Sequence, residues 1–223
     1  MKICIPIVAK NKREWIQDAK RIQSIPHDII EWRIDCMECI EDIFQVAKII
    51  RTYISCPIIA TIRNEGNEKK MECISIYKDL MDLHCMDYID VEILSDFQDL
   101  IEYAHQNHIQ VVGSIHNFKR SFTNEEWKDV YDRMKQAGVD VYKFACMPQT
   151  KKEVIEHLLN TYDLSCSDST SIISICMGEM GKISRIVSGL FGGSVSFACA
   201  HKKSAPGQIE VTLLKSYLKA IDM

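Results

Sequence analysis

The stretch IQVVGSIHNFKRSFTNEEWKDVYDRMKQAGVDVYKFA, residues 109–145, contains one complete strand–helix–strand unit. Apolar, β-branched runs at Ile109–Ser114 and Val139–Ala145 flank a middle that is polar and helix-periodic. Thr123-Asn-Glu-Glu opens that middle with the signature of a capping box, in which hydroxyl and carboxylate satisfy amides of the first turn. Gly138 closes it, where a helix C-terminus wants a residue tolerant of positive φ.

The same alternation extends over the whole chain. Further strand-like runs lie at Lys2–Val8, Asp28–Ile34, Pro57–Ile62, Tyr88–Ile93, Ser171–Cys176 and Ser194–Ala198. Between them come helical spacings such as Ile43, Val46, Ala47, Ile50 and Ile74, Tyr77, Leu80, Met81, and Asp96 reads as another helix N-cap. Alternating strands and helices imply a parallel sheet. Eight such units in 223 residues fit a closed (β/α)8 TIM barrel, with residues 1–223 as a single α/β domain. A doubly wound open sheet is the competitor, but no G-x-G-x-x-G follows the first strand.

Composition narrows the function classes. Hydrophobic residues at 47% and charged residues at 26% exclude a disordered chain. Lys and Arg number 27 against 31 Asp and Glu, so no basic excess is available for nucleic acid or an anionic membrane. No apolar run approaches the ~20 residues of a membrane span. The opening run is broken by Pro6 and followed by Lys10, Lys12 and Arg13, so no export signal is expected. A cytoplasmic, reducing location follows as an expectation, and with it ten unpaired thiols rather than a disulfide framework. Cys36-Met-Glu-Cys39 has no second C-x-x-C to answer it, and His105 and His108 read as solvated, so no metal site is expected. Cys4, Cys56, Cys146, Cys176 and Cys199 lie in apolar runs, as small packing residues.

Several residues break the rule that parallel strands are apolar throughout. Glu31 and Arg33 share one face of the second strand, Arg63 ends the third, Asp90 and Glu92 alternate in the fourth, and His116 follows the fifth. Internal salt bridges between barrel layers are the plain reading of Asp90 and Glu92. As a set, the charges point to a wet mouth at the strand C-terminal ends, where barrel active sites lie. Lys143, between Tyr142 and Phe144, is the sharpest case. Poor hydration frees its amine as a nucleophile suited to a Schiff base with a carbonyl substrate, and a salt-bridged lysine is the alternative. His116, one strand earlier, suits the general base that such chemistry needs. Arg185 and the loop from Ser204 to Gln208 suit a carboxylate held in fixed orientation.

These pieces, in order, resemble the type I 3-dehydroquinate dehydratases (3-dehydroquinases). They are Glu-Trp-Arg-Ile-Asp at 31–35, Ala-Thr-Ile-Arg at 60–63, Asp-Val-Glu at 90–92 and Ser-Ile-His-Asn-Phe at 114–118. Lys-Phe-Ala-Cys-Met-Pro at 143–148, Met-Gly-x-x-Gly-x-x-Ser-Arg at 177–185, Phe-Gly-Gly-Ser at 191–194 and Ser-Ala-Pro-Gly-Gln-Ile at 204–209 continue the series. The resemblance implies dehydration of 3-dehydroquinate to 3-dehydroshikimate in the shikimate pathway, through an imine on Lys143, with His116 as general base and acid. It implies that Glu65 orients the histidine, with Glu68 as the alternative in a shortened loop. Glu31, Arg33 and Arg63 correspond to positions contacting substrate, Met177 to an apolar wall, and Arg185, Ser204 and Gln208 to the carboxylate clamp. Neither cofactor nor metal is implied, and a homodimer is compatible with the family. An aldolase- or transaldolase-like Schiff-base barrel is the other enzymatic reading, and a non-catalytic barrel the remaining one.

Overall fold

The computed structural model describes residues 1–63, 70–94 and 97–221. All eight anticipated strands form: β1 (Lys2–Ile7), β2 (Ile29–Arg33), β3 (Ile58–Thr61), β4 (Tyr88–Glu92), β5 (Gln110–Asn117), β6 (Val141–Cys146), β7 (Ser171–Cys176) and β8 (Val195–Phe197). They pair in parallel in the order β7-β6-β5-β4-β3-β2-β1-β8. The remaining seam is drawn shut by a parallel bridge between Ile172 and Gly193 and by the Ser194 amide donating to the Ile172 carbonyl at 2.7 Å. The result is a nearly closed TIM-barrel-like α/β domain.

Ten α-helical segments accompany the strands among the described residues: α1 (Lys12–Ile22), α2 (Ile40–Ala47), α3 (Ile50–Tyr53), α4 (Lys70–Asp82), α5 (Gln98–Gln106), α6 (Asn124–Ala137), α7 (Lys151–Ser167), α8 (Gly178–Gly181), α9 (Ser184–Val187) and α10 (Val211–Ala220). The capping box at α6 forms as expected, with Thr123 accepting from the Glu126 amide, and Gly138 ends the helix at φ 72°. Asn11, Thr150 and Glu210 cap α1, α7 and α10 in the same way. The proposed cap Asp96 lies outside the described residues.

Alternation along the strands sorts side chains into two layers. One parity faces outward and packs Trp32, Ile30, Phe144 and Ile58 against the helices, joined there by Trp15 and Trp127. The other faces the barrel axis. Its lower level is apolar, built from Cys4, Ile29, Ile59, Val112, Val141, Ile173 and Val195. At the next inward level β2 to β6 carry Glu31, Thr61, Asp90, Ser114 and Lys143, all buried. A polar layer therefore rests on an apolar floor, near the strand C-terminal ends. No disulfide involves any of the ten cysteines. Cys4, Cys146, Cys176 and Cys199 are buried as expected, whereas Cys56 is only half-buried.

Candidate active site

Lys143 on β6 stands opposite Ser114 of β5, and both point to the axis. The lysine is 3% exposed. Its Nζ donates to Asp90 Oδ2 at 2.8 Å, lies 3.4 Å from Glu31 Oε1, and sits 4.5 Å above the centre of the Phe197 ring. The amine is thus dehydrated as anticipated, yet compensated by two carboxylates rather than isolated. Glu31 is anchored in turn by the Thr61 hydroxyl at 3.1 Å.

Asp90 is the hub of the layer. Arg63 grips it bidentately at 2.7 and 2.8 Å, and Ser114 donates to it at 2.5 Å. Burial alone would raise this carboxyl, but the charges of Arg63 and Lys143 outweigh it and hold Asp90 well below the usual carboxylate range. The salt-bridge reading of Asp90 therefore holds.

Glu92 does more than that reading gave it. One oxygen accepts the His116 backbone N–H at 2.9 Å, while the other lies 3.0 Å from His116 Nδ1 and 3.1 Å from Arg63. His116 is not beyond the strand but inside β5, two residues after Ser114. Lys143 is level with Ser114, so His116 lies one inward step, ~6.6 Å of strand, nearer the mouth. Burial and the Arg63 charge lower the His116 pKa against the pull of Glu92. The imidazole is held neutral, as a general base must be. Glu65 and Glu68, anticipated as the orienting acid, lie outside the described residues.

Arg185 enters from the turn after β7, on α9, and is 1% exposed. Its terminal nitrogens donate to the carbonyls of Phe197 and Pro206, each at 3.1 Å, and its buried Nε–H has no partner among the described residues. Burial pushes its pKa down to about 10. A buried guanidinium with a spare donor is prepared for an anion that arrives later. The Ser204–Gln208 loop closes beside it: Gln208 accepts the Ser204 amide at 2.7 Å and donates to the Ser204 hydroxyl at 2.9 Å. Gly207 has φ 75°, and a Cβ there would lie 2.3 Å from the Gly178 carbonyl oxygen, so only glycine lets this loop rest on the turn after β7.

A cavity of about 590 Å³, its opening to solvent included, lies over the polar layer. Glu31, Arg33 and Arg63 form one side of it, with Arg33 clamped by Asp35 at 2.7 and 2.9 Å. His116, Lys143 and Met177 line it further round, and Arg185, Ser204 and Gln208 close it. Of the anticipated site residues, all those within the described residues meet here. Glu92, whose signal is a carboxylate at an inward position of β4, makes a contact with His116 that the salt-bridge reading does not include.

A family profile described as type I 3-dehydroquinase matches residues 3–223. The chain belongs to the type I 3-dehydroquinase family. It is 34% identical to the 3-dehydroquinate dehydratase of Clostridioides difficile (strain 630), over 99% of this chain and 91% of that one. It is likewise 34% identical to the 3-dehydroquinate dehydratase of Listeria monocytogenes serotype 4b (strain CLIP80459), over 97% and 91%. A crystal structure of a type I 3-dehydroquinate dehydratase from Clostridium difficile with covalently modified comenic acid superposes with a TM-score of 0.91 at 33% identity, covering 99% of this chain and 91% of that one. The 3-dehydroquinate dehydratase of Geobacillus kaustophilus HTA426 superposes with a TM-score of 0.95 at 25% identity, with the same coverage. As a type I 3-dehydroquinase the protein is a hydro-lyase of the shikimate pathway that converts 3-dehydroquinate to 3-dehydroshikimate by Schiff-base chemistry. No helix among the described residues is long and apolar enough to cross a membrane.

Proposed function

We propose that Lys143 is the residue that forms the imine, and His116 the group that moves the protons. The single observation that carries this reading is the burial of Lys143 Nζ between Asp90 and Glu31, in the cavity that also holds His116 and Arg185. Asp90 and Glu31 hold Nζ in place, and the proton that the amine must release before it attacks the substrate ketone passes to solvent and returns as the carbinolamine loses water. Amine addition and loss of water give a protonated imine. Its positive charge acidifies the neighbouring carbon, from which His116 Nε2 takes a proton to leave an enamine. The enamine expels the β-hydroxyl as water, using the proton His116 carries, and hydrolysis of the imine releases product and free lysine. The lysine is the electron sink, so this route calls on no cofactor. Arg185, with Ser204 and Gln208, holds the substrate carboxylate, Glu31, Arg33 and Arg63 face its hydroxyls, and Met177 walls the ring. On this reading residues 1–223 act as one catalytic unit, in the cytoplasm, on a small molecule rather than on nucleic acid or membrane.

Borohydride reduction in the presence of 3-dehydroquinate tests it. A reduced adduct on the peptide containing Lys143 is expected by mass spectrometry. An adduct on another lysine, or none on active protein, overturns the assignment.

A further inference from the structure

Behind the active site, on the outward face of β6 and β7, three soft donors converge. Cys146 lies three residues beyond Lys143 and so has the opposite parity, pointing away from the barrel axis. Its register partner on β7 is Cys176, and their sulfurs are 4.0 Å apart. His157 of α7 brings Nδ1 to 3.4 Å from Cys146 Sγ. All three side chains are buried, and their donor atoms lie within 4.8 Å of one another.

The hydrogen bonds behind the imidazole fix which of its nitrogens is bare. Thr161 spends its hydroxyl proton on the His157 carbonyl, at 2.8 Å. Its oxygen therefore accepts from Ser174, 2.6 Å away, and the Ser174 oxygen in turn accepts from His157 Nε2–H at 2.9 Å. The lone pair is left on Nδ1, the atom 3.4 Å from Cys146 Sγ. Metal-bound histidines are oriented by this kind of second hydrogen bond.

We propose that Cys146, Cys176 and His157 form a binding site for a thiophilic d10 divalent cation of the Zn2+ class. Two of the three edges fit: with Zn–S near 2.3 Å and Zn–N near 2.05 Å, a tetrahedral ion has an S···S edge of about 3.8 Å and an S···N edge of about 3.6 Å, against 4.0 and 3.4 Å here, while the Cys176–His157 edge, within 4.8 Å, would shorten as the ion binds. So does the charge. Each thiol releases a proton to solvent as its S–metal bond forms, and two thiolates neutralise a divalent ion in a dry setting. Ser121 Oγ lies 3.7 Å from Cys146 Sγ, and water would take the fourth position. A disulfide is the poorer reading: its sulfurs would be bonded at ~2.05 Å, whereas these stand 4.0 Å apart. The ion would tie β6 to β7 and α7 from outside, opposite Lys143, and thus brace the strand without entering the catalytic cavity.

The test uses the full chain, reduced, stripped with chelator and titrated with Co2+. One Co2+ per chain with sulfur-to-metal charge-transfer absorption, displaced by Zn2+, is expected, and Zn2+ should shield Cys146 and Cys176 from alkylation. Cys176→Ser and His157→Ala should weaken binding at least ~10-fold, and the double variant Cys36→Ser, Cys39→Ser should leave it unchanged. Absence of the band, its survival in Cys176→Ser, its loss with Cys36 and Cys39, or a Cys146–Cys176 disulfide in the isolated protein overturns the proposal. Should Cys176→Ser not fold, equal alkylation of the wild-type pair with and without Zn2+ overturns it as well.

Discussion

Glu92 holds His116 at two points, its backbone N–H at 2.9 Å and its Nδ1 at 3.0 Å. A carboxylate only accepts, so Nδ1 carries the ring proton and Nε2 keeps the lone pair. The same carboxylate aligns the β5 backbone on which the ring sits. Ring tautomer and ring position are thus governed by one side chain.

Glu92→Gln keeps the shape and removes the charge. Without that charge nothing balances burial and Arg63, so the His116 pKa falls further. The expected result is a kcat reduced at least ~10-fold, with the acidic limb of the kcat/KM profile moved to lower pH. In the wild type that limb should already lie below the ordinary histidine value of about 6.5, because the base works once it is neutral. A limb that does not move in the variant would show that Glu92 acts on packing alone.

Asp90→Asn should cost about 3–5 kcal/mol of stability, because Arg63 and Lys143 would remain buried with their main counter-charge removed. Urea unfolding at neutral pH measures it. The sign with pH follows from the depressed carboxyl. Its stabilisation is complete above the unfolded value of about 3.9 and is lost as pH falls through the lower folded value. The variant's deficit should therefore be full at neutral pH and shrink only in strong acid.

Arg185→Met should raise KM for 3-dehydroquinate roughly 10- to 100-fold, since a charge-assisted hydrogen bond contributes about 1.5–3 kcal/mol. Imine formation at saturating substrate should persist, because Lys143 is untouched. Steady-state kinetics beside borohydride trapping separates the two effects.

Gly207→Ala places a methyl group against the Gly178 carbonyl and forces alanine to φ 75°. Lifting the Ser204–Gln208 loop should weaken substrate binding by at least ~1 kcal/mol. A KM within twofold of wild type would mean that the loop does not close on the substrate in this position.

Much of this was legible in the chain. The strand runs, the Thr123 box and Gly138 are local signals, so the eight βα units follow from neighbours in sequence. The N-caps Asn11 and Thr150 carry the same kind of local signal, whereas Glu210 is not a usual capping residue. Lys143 and His116 stood out because a charged or titratable group in a buried strand needs a reason. Glu92 did not, because a carboxylate alternating with Asp90 reads equally well as a layer salt bridge, and it also makes one, with Arg63.

The amino-acid sequence alone determined the barrel, the family and the inward set of charged residues, since strand parity and motif order are properties of the linear chain. Tertiary structure decided the pairings. Which carboxylate reaches His116 depends on the β4–β5 register, and the meeting of Cys146, His157 and Cys176 depends on α7 lying across β6 and β7. Contacts between elements far apart in the chain are set by packing, which no local spacing encodes.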